Sequence, residues 1–404
     1  MAKLATRVQG VSDSLTLRLN AQVQEMQKQG IDIANLSTGE PDFPVPEASK
    51  EAVREALRLN RSKYTPVSGI LPLREAIARK TSAQQPSLVA QSGAWSAQNV
   101  VISNGGKQAI FNAMMAVLES GDQVLFPAPY WLSYPEMAKL LGAEPVAIST
   151  AIDRGFRMTP EELGSALDAA PRAKLLILNS PSNPTGALYS RAELAALGAV
   201  IAQHPRGKEV WILSDEIYDR ITLGEKPFCS FLEACPDLRE QVVTVNGMSK
   251  SAAMTGWRTG WSVAPAALTS ALGTIQGQST SGICALSQWA ALAALELPES
   301  SFSEQLERYR ERCRLVLAIL SKAGKLEVVV PEGAFYVFLG VRRLLRAGET
   351  AALFCERVLR EARVALVPGE PFGAPGFVRM SFATEDSTLK VGCERLVEYI
   401  NLTE

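Results

Sequence analysis

The stretch QVVTVNGMSKSAAMTGWRTGW (241–261) carries the pattern from which a fold can be inferred. Its opening run is rich in β-branched residues and shows no regular polar alternation, which is typical of a strand buried on both faces. Small residues then surround Lys250, Arg258 follows eight residues later, and a second strand-like run, GWSVA (260–264), comes next. Because ligands of open α/β sheets bind at the carboxyl ends of strands, this lysine and this arginine are candidates for a functional site.

Short apolar runs of the same kind recur upstream of this stretch. They are VVISN (100–104), QVLFP (123–127), PVAIS (145–149), KLLILN (174–179) and VWILS (210–214). Helical or loop segments of moderate length separate most of the runs. This alternation predicts an α/β domain with a mostly parallel sheet between helices.

A second, smaller α+β domain is predicted towards the end of the chain. A long helical pattern over 302–323 is followed by short strand-like runs and two more helical segments. We expect a large domain over 46–300, and a small domain formed by 1–45 together with 301–404. The stretch 82–98 is polar and rich in small residues, so we expect it to be a surface loop.

Composition excludes several classes of function. The 404 residues include 41 Lys and Arg against 42 Asp and Glu, so no basic surplus suggests binding to nucleic acid or to an acidic membrane surface. The single histidine, His204, excludes a multi-histidine metal site and argues against a Ser-His-Asp mechanism. We expect no metal, and we expect His204 to be a surface residue at a helix end.

The cysteines and the beginning of the chain predict a cytoplasmic protein. The 6 cysteines are scattered without a CxxC pair, which is typical of reduced, packed thiols. The opening MAKLATRVQG lacks the apolar core of a signal peptide, and no run is long and apolar enough to span a membrane.

Chemically useful residues follow several of the predicted strands. Gly105 and Gly106 precede a helix whose first N–H groups can bind an anion, Asn183 lies in a Pro- and Ser-rich loop, and Asp215 is followed by Tyr218. Taken singly, each feature has an ordinary alternative: a plain turn, a solvated loop, a surface cap. A single lysine is likewise usually a solvated surface charge.

The combination of these strand ends is more specific than its parts. Together they offer an anion-binding helix end, an amide, an acid with a tyrosine, and a lysine with an arginine. Pyridoxal phosphate would use all of them, because it carries a phosphate, a phenolic oxygen, a ring nitrogen and an aldehyde. A lysine that forms a Schiff base with the aldehyde can also carry a proton, which agrees with the scarcity of histidine.

The chain resembles the class I aminotransferases of the pyridoxal-phosphate fold type I superfamily, especially the bacterial aspartate aminotransferases, from about residue 5 to 400. The resemblance rests on motifs in family order: STGEPDF (37–43), KYTPVSGILPLREAI (63–77), NGGKQAIFNAM (104–114), PYWLSYPEM (129–137), NSPSNPTG (179–186), SDEIYDR (214–220), NGMSKSAAMTGWRTGW (246–261), GAFYVF (333–338) and VRMSFA (378–383). It implies a mostly parallel seven-stranded sheet in the large domain, and a homodimer whose active sites are shared.

The resemblance implies a catalytic role for three residues. Lys250 would bind the cofactor covalently and move the proton between the substrate α-carbon and the cofactor. Asp215 would pair with the pyridine N–H. Tyr218 would donate a hydrogen bond to the phenolic oxygen of the cofactor. The resemblance also implies further cofactor-binding residues, which are Gly105, Gly106, Lys107, Trp131, Asn183, Ser249, Arg258 and, from the neighbouring subunit, Tyr64.

Substrate-binding residues are implied in the same way. Arg379 would bind the α-carboxylate bidentately, assisted by Asn183, Trp131 and the backbone of Gly39. Lys107 occupies the position that reads a second carboxylate in the bacterial subgroup, although it could instead only neutralise the phosphate. Ser14 and Thr16 are weaker candidates for the same end of the pocket.

The expected reaction is transfer of the amino group of L-aspartate to 2-oxoglutarate by a ping-pong mechanism. An alternative keeps the chemistry but changes the substrates to the prephenate/arogenate pair, or the donor to an aromatic amino acid, alanine, methionine or kynurenine, because pocket shape decides this choice. A lyase or a non-catalytic regulator on the same fold is a further alternative. A regulator would normally add a basic DNA-binding domain, and the sequence shows no basic arm.

Overall fold

The computed structural model describes residues 4–11 and 15–402. Within them, the strands in chain order are β1 (Ala34–Asn35), β2 (Val100–Asn104), β3 (Gln123–Ala128), β4 (Glu144–Ser149), β5 (Ala173–Asn179), β6 (Trp211–Asp215), β7 (Val242–Gly247), β8 (Thr259–Val263), β9 (Glu327–Val329), β10 (Tyr336–Gly340), β11 (Val364–Ala365), β12 (Val367–Pro368) and β13 (Phe377–Ser381).

The α-helices of the same residues are α1 (Thr6–Gln9), α2 (Leu15–Lys28), α3 (Glu47–Arg58), α4 (Leu71–Gln84), α5 (Pro86–Ser92), α6 (Gly105–Val117), α7 (Ser133–Leu140), α8 (Pro160–Ala169), α9 (Arg191–Gln203), α10 (Phe231–Ala234), α11 (Met248–Ser251), α12 (Ala266–Ser279), α13 (Ala285–Leu295), α14 (Ser303–Leu320), α15 (Ala351–Glu361) and α16 (Asp386–Leu402). In this part of the chain, no helix combines the length and the apolar character that crossing a membrane requires.

The central sheet has seven strands in the order β2-β8-β7-β6-β5-β3-β4. All neighbours are parallel except β8, which runs antiparallel to both β2 and β7. This confirms the predicted α/β class with a mostly parallel sheet. The register places Asn179 opposite Asp215, and Gly247 opposite Gly260, so that the polar residues after these strands meet at one edge of the sheet.

Successive residues of the central strands are buried on opposite faces of the sheet. Leu176 and Ile212 pack in one core with helices that include α4, α8, α9 and α13, whereas Leu175 and Leu213 pack in another with α6, α7 and α12. Because both faces are covered, the strands need apolar residues at every position, which explains the absence of polar alternation in the sequence.

The C-terminal part builds a separate core. An antiparallel sheet in the order β12-β13-β10-β9 and the parallel pair β1-β11 pack against α14, α15 and α16. The single strand-like run VALVP (364–368) is divided between these two sheets, as β11 and β12. The domain boundaries at 45/46 and 300/301 stay predictions.

The expectation that 82–98 is a surface loop is wrong. The helix α4 ends inside this stretch, α5 lies within it, and Leu88 and Trp95 are buried. The fully buried Gln85 accepts a 2.8 Å hydrogen bond from Trp95 Nε1 and donates one of 2.8 Å to Ser230 Oγ. In this stretch buried polar side chains have hydrogen-bond partners inside the protein, so the polar composition of the stretch did not indicate exposure to solvent.

The lone histidine caps the end of α9, as expected from the sequence, but it is less exposed than predicted. His204 Nε2 lies 3.2 Å from Asp168 Oδ1, and the side chain is 12% exposed. It is not among the residues that line the cavity described below. All six cysteines are free thiols, and four of them are buried.

Candidate active site

A cavity of about 400 Å³ lies at the carboxyl edge of the central sheet, between this sheet and the C-terminal core. The structure brings most of the predicted site residues into its lining, which are Gly39, Gly106, Lys107, Trp131, Asn183, Asp215, Tyr218, Ser249, Lys250, Arg258 and Arg379. Residues far apart in sequence therefore meet in one site.

Lys250 enters the cavity from the short helix α11, which follows β7 directly. Its Nζ donates a 2.6 Å hydrogen bond to the carbonyl oxygen of Gly39. Burial lowers the pKa of Lys250 to about 8, Glu40 acts in the opposite direction, and the charges of Arg379 and Arg258 lower it further. A larger fraction of the amine than for an ordinary lysine is therefore in the neutral, nucleophilic form near physiological pH.

Asp215 ends β6 and lies at the buried floor of the cavity. Tyr134 of α7 donates a 2.6 Å hydrogen bond to Asp215 Oδ2, and the backbone N–H of Ile217 donates one of 3.3 Å to Oδ1. Burial raises the pKa of Asp215 to about 6, and these two hydrogen bonds limit the rise. A buried carboxylate held only by neutral donors favours a cationic partner.

Asn179 fixes the position of the loop that follows β5. Its Nδ2 donates a 2.9 Å hydrogen bond to the backbone oxygen of Asp215, and its Oδ1 accepts one of 2.8 Å from the backbone N–H of Asn183. The loop carrying Asn183 is thereby tied to the end of β6, and both side chains line the cavity.

Tyr218 lies in the turn after β6 and is buried. Its hydroxyl oxygen lies 3.0 Å from the hydroxyl oxygen of Tyr336 in β10. Burial raises the pKa of Tyr218 well above its usual range. The phenol therefore stays protonated and can donate a hydrogen bond.

The N-terminus of α6 forms a cradle that depends on glycines. Gly105 has φ +78°, and a Cβ there would lie 2.6 Å from the Arg258 guanidinium. A Cβ on Gly260 of β8 would lie 2.3 Å from the backbone nitrogen of Gly106. No side chain caps α6, so its first N–H groups and Arg258 are available for an anion.

Arg258 itself adopts a left-handed conformation with φ 54°. Its guanidinium donates hydrogen bonds of 2.9 Å to the carbonyl of Thr255 and 3.3 Å to the carbonyl of Asn104. These bonds to neutral carbonyl oxygens hold the guanidinium beside the start of α6 and leave its charge available for an anion.

Lys107 follows the cradle in the first turn of α6. Its Nζ lies 5.1 Å from the ring centroid of Trp131, within range of a cation–π interaction. Burial, followed by the charge of Arg258, lowers the pKa of Lys107. In the described residues no carboxylate forms a salt bridge with it, so this cation can meet an acidic ligand.

Arg379 of β13 is almost completely buried, with 3% exposure. It donates hydrogen bonds of 3.0 Å to Asn183 Oδ1 and 3.0 Å to the backbone oxygen of Ser37. Its Nε has no hydrogen-bond partner. A buried arginine with neutral partners and a spare donor is suited to a carboxylate ligand.

The loop that carries Gly39 is held on two sides. Arg312 of α14 donates two 2.7 Å hydrogen bonds to the carboxylate of Asp42, while the hydroxyl of Thr255 donates to Glu40. The loop is thus tied both to the C-terminal core and to the segment that follows Lys250.

Some predicted residues are not in the cavity lining. Gly105 is not in the lining, although a Cβ added to it would meet the Arg258 guanidinium, and Tyr64 is fully exposed, at 102%. Whether Tyr64 serves a neighbouring subunit stays a prediction. Ser14 and the side chain of Thr16 lie outside the described residues.

Sequence reasoning missed Tyr134, Tyr336 and Asn179 as site residues. Each lies in a motif that carried the family resemblance. No local pattern distinguishes the two tyrosines from core residues, whereas the polar Asn179 at the end of a strand-like run offered a signal. Their partners are 81, 118 and 36 residues away in sequence, respectively, so only the fold reveals the contacts.

Comparison with known proteins shows the family of this chain. Residues 31–396 match the family model described as aminotransferase class I and II. The chain is 38% identical over 407 residues to the aspartate/prephenate aminotransferase of Nitrosomonas europaea, which covers 99% of this chain and 100% of that protein. It is 39% identical over 405 residues to the aspartate/prephenate aminotransferase of Cereibacter sphaeroides, with 98% of each covered.

A solved structure shows the same fold. The aspartate aminotransferase from Thermus thermophilus with maleate matches with a TM-score of 0.90 and 38% identity, over 98% of this chain and 100% of that one. This confirms the resemblance inferred from the sequence motifs. The family match over residues 31–396, together with relatives that align over nearly the whole chain, shows that this chain belongs to the class I and II aminotransferases.

Proposed function

We propose that the protein transfers the amino group of L-aspartate to 2-oxoglutarate, with pyridoxal phosphate as cofactor. The observation that carries this proposal is the presence, in one cavity, of the amine of Lys250 and two cations suited to carboxylates, Arg379 and Lys107. The cavity lining contains four cationic side chains, which are Lys107, Lys250, Arg258 and Arg379, and two acidic ones, Glu40 and Asp215. The excess positive charge suits a phosphate and a dicarboxylate.

The donor set fits pyridoxal phosphate. The N–H groups at the start of α6, Ser249 and Arg258 would hold the phosphate, and the ring would lie beside Trp131. The glycine cradle supports this fit, because a Cβ on Gly260 would fill the approach to the start of α6. When bound, the cofactor supplies an aldehyde that condenses with amines and a ring that accepts electrons from the substrate α-carbon.

The protein's own residues then have distinct tasks. Asp215 keeps the proton on the ring nitrogen, since a buried carboxylate without a cation stabilises a positive charge beside it. Tyr218 and the Nδ2 group of Asn183 would donate hydrogen bonds to the phenolic oxygen of the cofactor. Lys250, with its lowered pKa, would accept the proton from the substrate α-carbon and hold it for return to the bound cofactor.

Substrate recognition would use the two remaining cations. Arg379 binds the α-carboxylate, assisted by Asn183 and the Gly39 loop, and Lys107 binds the distal carboxylate. Two of the relatives are named aspartate/prephenate aminotransferases, and the Thermus thermophilus structure is described with maleate, a dicarboxylate. These names support a dicarboxylic substrate.

Prephenate is the second candidate substrate, and the relatives' names favour it. It also carries two carboxylates, and the apolar side chains of Ile110, Leu132 and Ile217 in the lining could accept its ring. The other donors considered from the sequence lack a second carboxylate, apart from arogenate.

We further propose that the protein is a homodimer in which the exposed Tyr64 completes the site of the neighbouring subunit. We also propose that the chain divides into two domains at 45/46 and 300/301.

The test is a panel of amino donors with the purified protein loaded with pyridoxal phosphate. We expect aspartate to give the highest kcat/KM with 2-oxoglutarate, with prephenate tested as acceptor in the same panel. Lys250→Ala should abolish steady-state turnover. Full turnover of that variant, or a clear preference for neutral donors, would contradict the proposal.

A further inference from the structure

Tyr336 is a buried side chain of the cavity for which the family resemblance implied no role. It lies in β10 and is 1% exposed, and its ring is 6.0 Å from the Tyr218 ring at an interplanar angle of 81°. The two hydroxyl oxygens are 3.0 Å apart, so one phenol donates its proton to the other.

The position of the Tyr336 hydroxyl is set by its surroundings. A Cβ on Gly39 would lie 2.7 Å from its oxygen, so the Gly39 backbone packs closely against it. The Arg379 guanidinium lies 4.5 Å from the centroid of the Tyr336 ring, within cation–π range. Tyr336 therefore contacts both Tyr218, the proposed donor to the cofactor, and Arg379, the proposed ligand of the substrate α-carboxylate.

The direction of the hydrogen bond follows from counting protons. In the proposed function the single hydroxyl proton of Tyr218 is donated to the phenolic oxygen of the cofactor. The Tyr218 oxygen can then only accept, so the proton between the two phenols must come from Tyr336. Burial raises the pKa of both phenols, well above the usual range at Tyr218 and less far at Tyr336, where the charge of Arg379 is the largest opposing effect. The more acidic phenol is the better donor, which favours Tyr336.

We propose that Tyr336 is a positioning residue with two separable parts: its hydroxyl donates to Tyr218 and strengthens the hydrogen bond from Tyr218 to the cofactor, while its ring supports the Arg379 guanidinium. A chain of two phenols polarises in one direction, so each hydrogen bond strengthens the next. This inference rests on the proposed function, and it adds a link between cofactor tuning and carboxylate binding.

Tyr336→Phe separates the two parts, because it removes the hydroxyl and keeps the ring. Without the Tyr336 hydroxyl, Tyr218 would be a weaker hydrogen-bond donor to the phenolic oxygen of the cofactor. The negative charge on that oxygen would be less stabilised, so the bound cofactor would keep its titrating proton up to a higher pH. In a spectrophotometric pH titration of the loaded protein, we expect the midpoint of the visible absorbance change to rise by about one pH unit. The affinity for maleate, measured from the absorbance change on binding, should stay within about twofold of wild type.

Two further variants complete the design. Tyr336→Leu removes the ring as well, and it should weaken maleate binding by about fivefold or more, as expected for loss of a desolvated cation–π contact. Tyr189→Phe is the matched control, since Tyr189 is equally buried, its hydroxyl accepts a 2.7 Å hydrogen bond from the Met158 N–H, and it is not part of the cavity lining. Its midpoint should equal that of wild type.

A double-variant cycle tests the route of the effect. Ionisable groups of the described residues near the phenol pair include Asp215, Arg379, Tyr309 and Lys250, and all of them are retained in these variants. In a Tyr218→Phe background, Tyr336→Phe should cause no further shift. An equal shift in both backgrounds, or an unmoved midpoint in a Tyr336→Phe protein that takes up cofactor normally, overturns the inference alone. Failure of the wild-type protein to take up pyridoxal phosphate overturns the proposed function and the inference together.

Discussion

The hydroxyl of Tyr134 donates a 2.6 Å hydrogen bond to Oδ2 of Asp215, and both side chains are almost completely buried, at 2% and 4% exposure. Among the residues that the structure describes, no lysine or arginine forms a salt bridge with this carboxylate. A negative charge is therefore held in the core by a phenol and one backbone N–H. Such an arrangement costs stability in the cofactor-free protein and suits a cationic ring nitrogen when the cofactor is bound.

Asp215→Asn should stabilise the cofactor-free protein at neutral pH while abolishing turnover. The pKa of Asp215 in the folded protein, about 6, lies above its ordinary value of 3.8, so between these values the folded state binds more protons than the unfolded state. Wild-type stability therefore falls as pH rises through this window, by roughly 3 kcal/mol in all. Chemical denaturation should show the advantage of the variant growing from about pH 4 to pH 6 and then staying constant.

Asp219→Asn is the matched control, because this buried aspartate lies in the same turn but forms a 3.1 Å salt bridge with Lys80. Burial would raise its pKa, but the charge of Lys80 and further hydrogen bonds outweigh burial, so the pKa of Asp219 is lowered. This carboxylate contributes stability that is present at neutral pH and lost on acidification, so its replacement should destabilise the protein. Destabilisation of both variants at neutral pH would contradict the account of Asp215.

Tyr134→Phe should weaken both catalysis and cofactor binding. Among the described residues, Tyr134 is the one side chain that donates to Asp215, and losing it raises the pKa of that carboxyl because the hydrogen bond stabilises the charged form. A hydrogen bond to a charged group contributes about 1.5–3 kcal/mol, so we expect a fall in kcat of about 10- to 100-fold. The dissociation constant for pyridoxal phosphate should rise with it, as measured by dialysis. Tyr130→Phe, four residues earlier, should leave both values near wild type.

The rate of cofactor uptake should depend on the ionisation of Lys250. Burial lowers the pKa of this amine to about 8, so the neutral form increases about tenfold between pH 7 and pH 9. Stopped-flow absorbance with cofactor-free protein should show this increase, with a midpoint near pH 8. Free n-butylamine provides the reference for an unperturbed amine. A midpoint near the ordinary lysine value of 10.5 would argue that the site does not perturb Lys250.

Lys107→Gln should discriminate between its two proposed roles. If Lys107 binds the distal carboxylate, kcat/KM for aspartate should fall by about 100-fold, while that for alanine changes by less than about threefold. Cofactor affinity should be largely retained, since Arg258 and the helix N-terminus remain. Equal losses for aspartate and alanine, together with weakened cofactor binding, would assign Lys107 to the phosphate alone.

Gly260→Ala should damage the phosphate cradle. Its Cβ would lie 2.3 Å from the Gly106 nitrogen and 2.4 Å from the Gly105 carbonyl carbon, so β8 and the start of α6 must separate. We expect cofactor affinity to fall by at least about tenfold, with a loss of a few kcal/mol in stability. Gly256→Ala is the control, because a Cβ at this nearby glycine would have no heavy atom within 4 Å. Unchanged affinity in Gly260→Ala would show that the cradle can relax.

Local patterns in the sequence determined the layered α/β core and much of the cavity. Strands buried on both faces need apolar residues at every position, so the runs before Asn183, Asp215 and Lys250 could be recognised without a structure. Parallel strands also place their carboxyl ends at one edge of the sheet, which is why residues after separate runs could be assigned to one site.

Contacts between distant segments were decided by the tertiary structure alone. The hydrogen bonds of Tyr134 with Asp215 and of Tyr336 with Tyr218 join residues that are 81 and 118 positions apart. The local pattern around a buried tyrosine does not indicate which residue its hydroxyl will bind. For the same reason the buried Gln85 made 82–98 look like a surface loop, since a polar residue satisfied in the core and one solvated outside have the same composition. The sequence determined which chemical groups reach the edge of the sheet, whereas packing decided which neutral donors hold them, because burial and hydrogen-bond partners are properties of the whole fold.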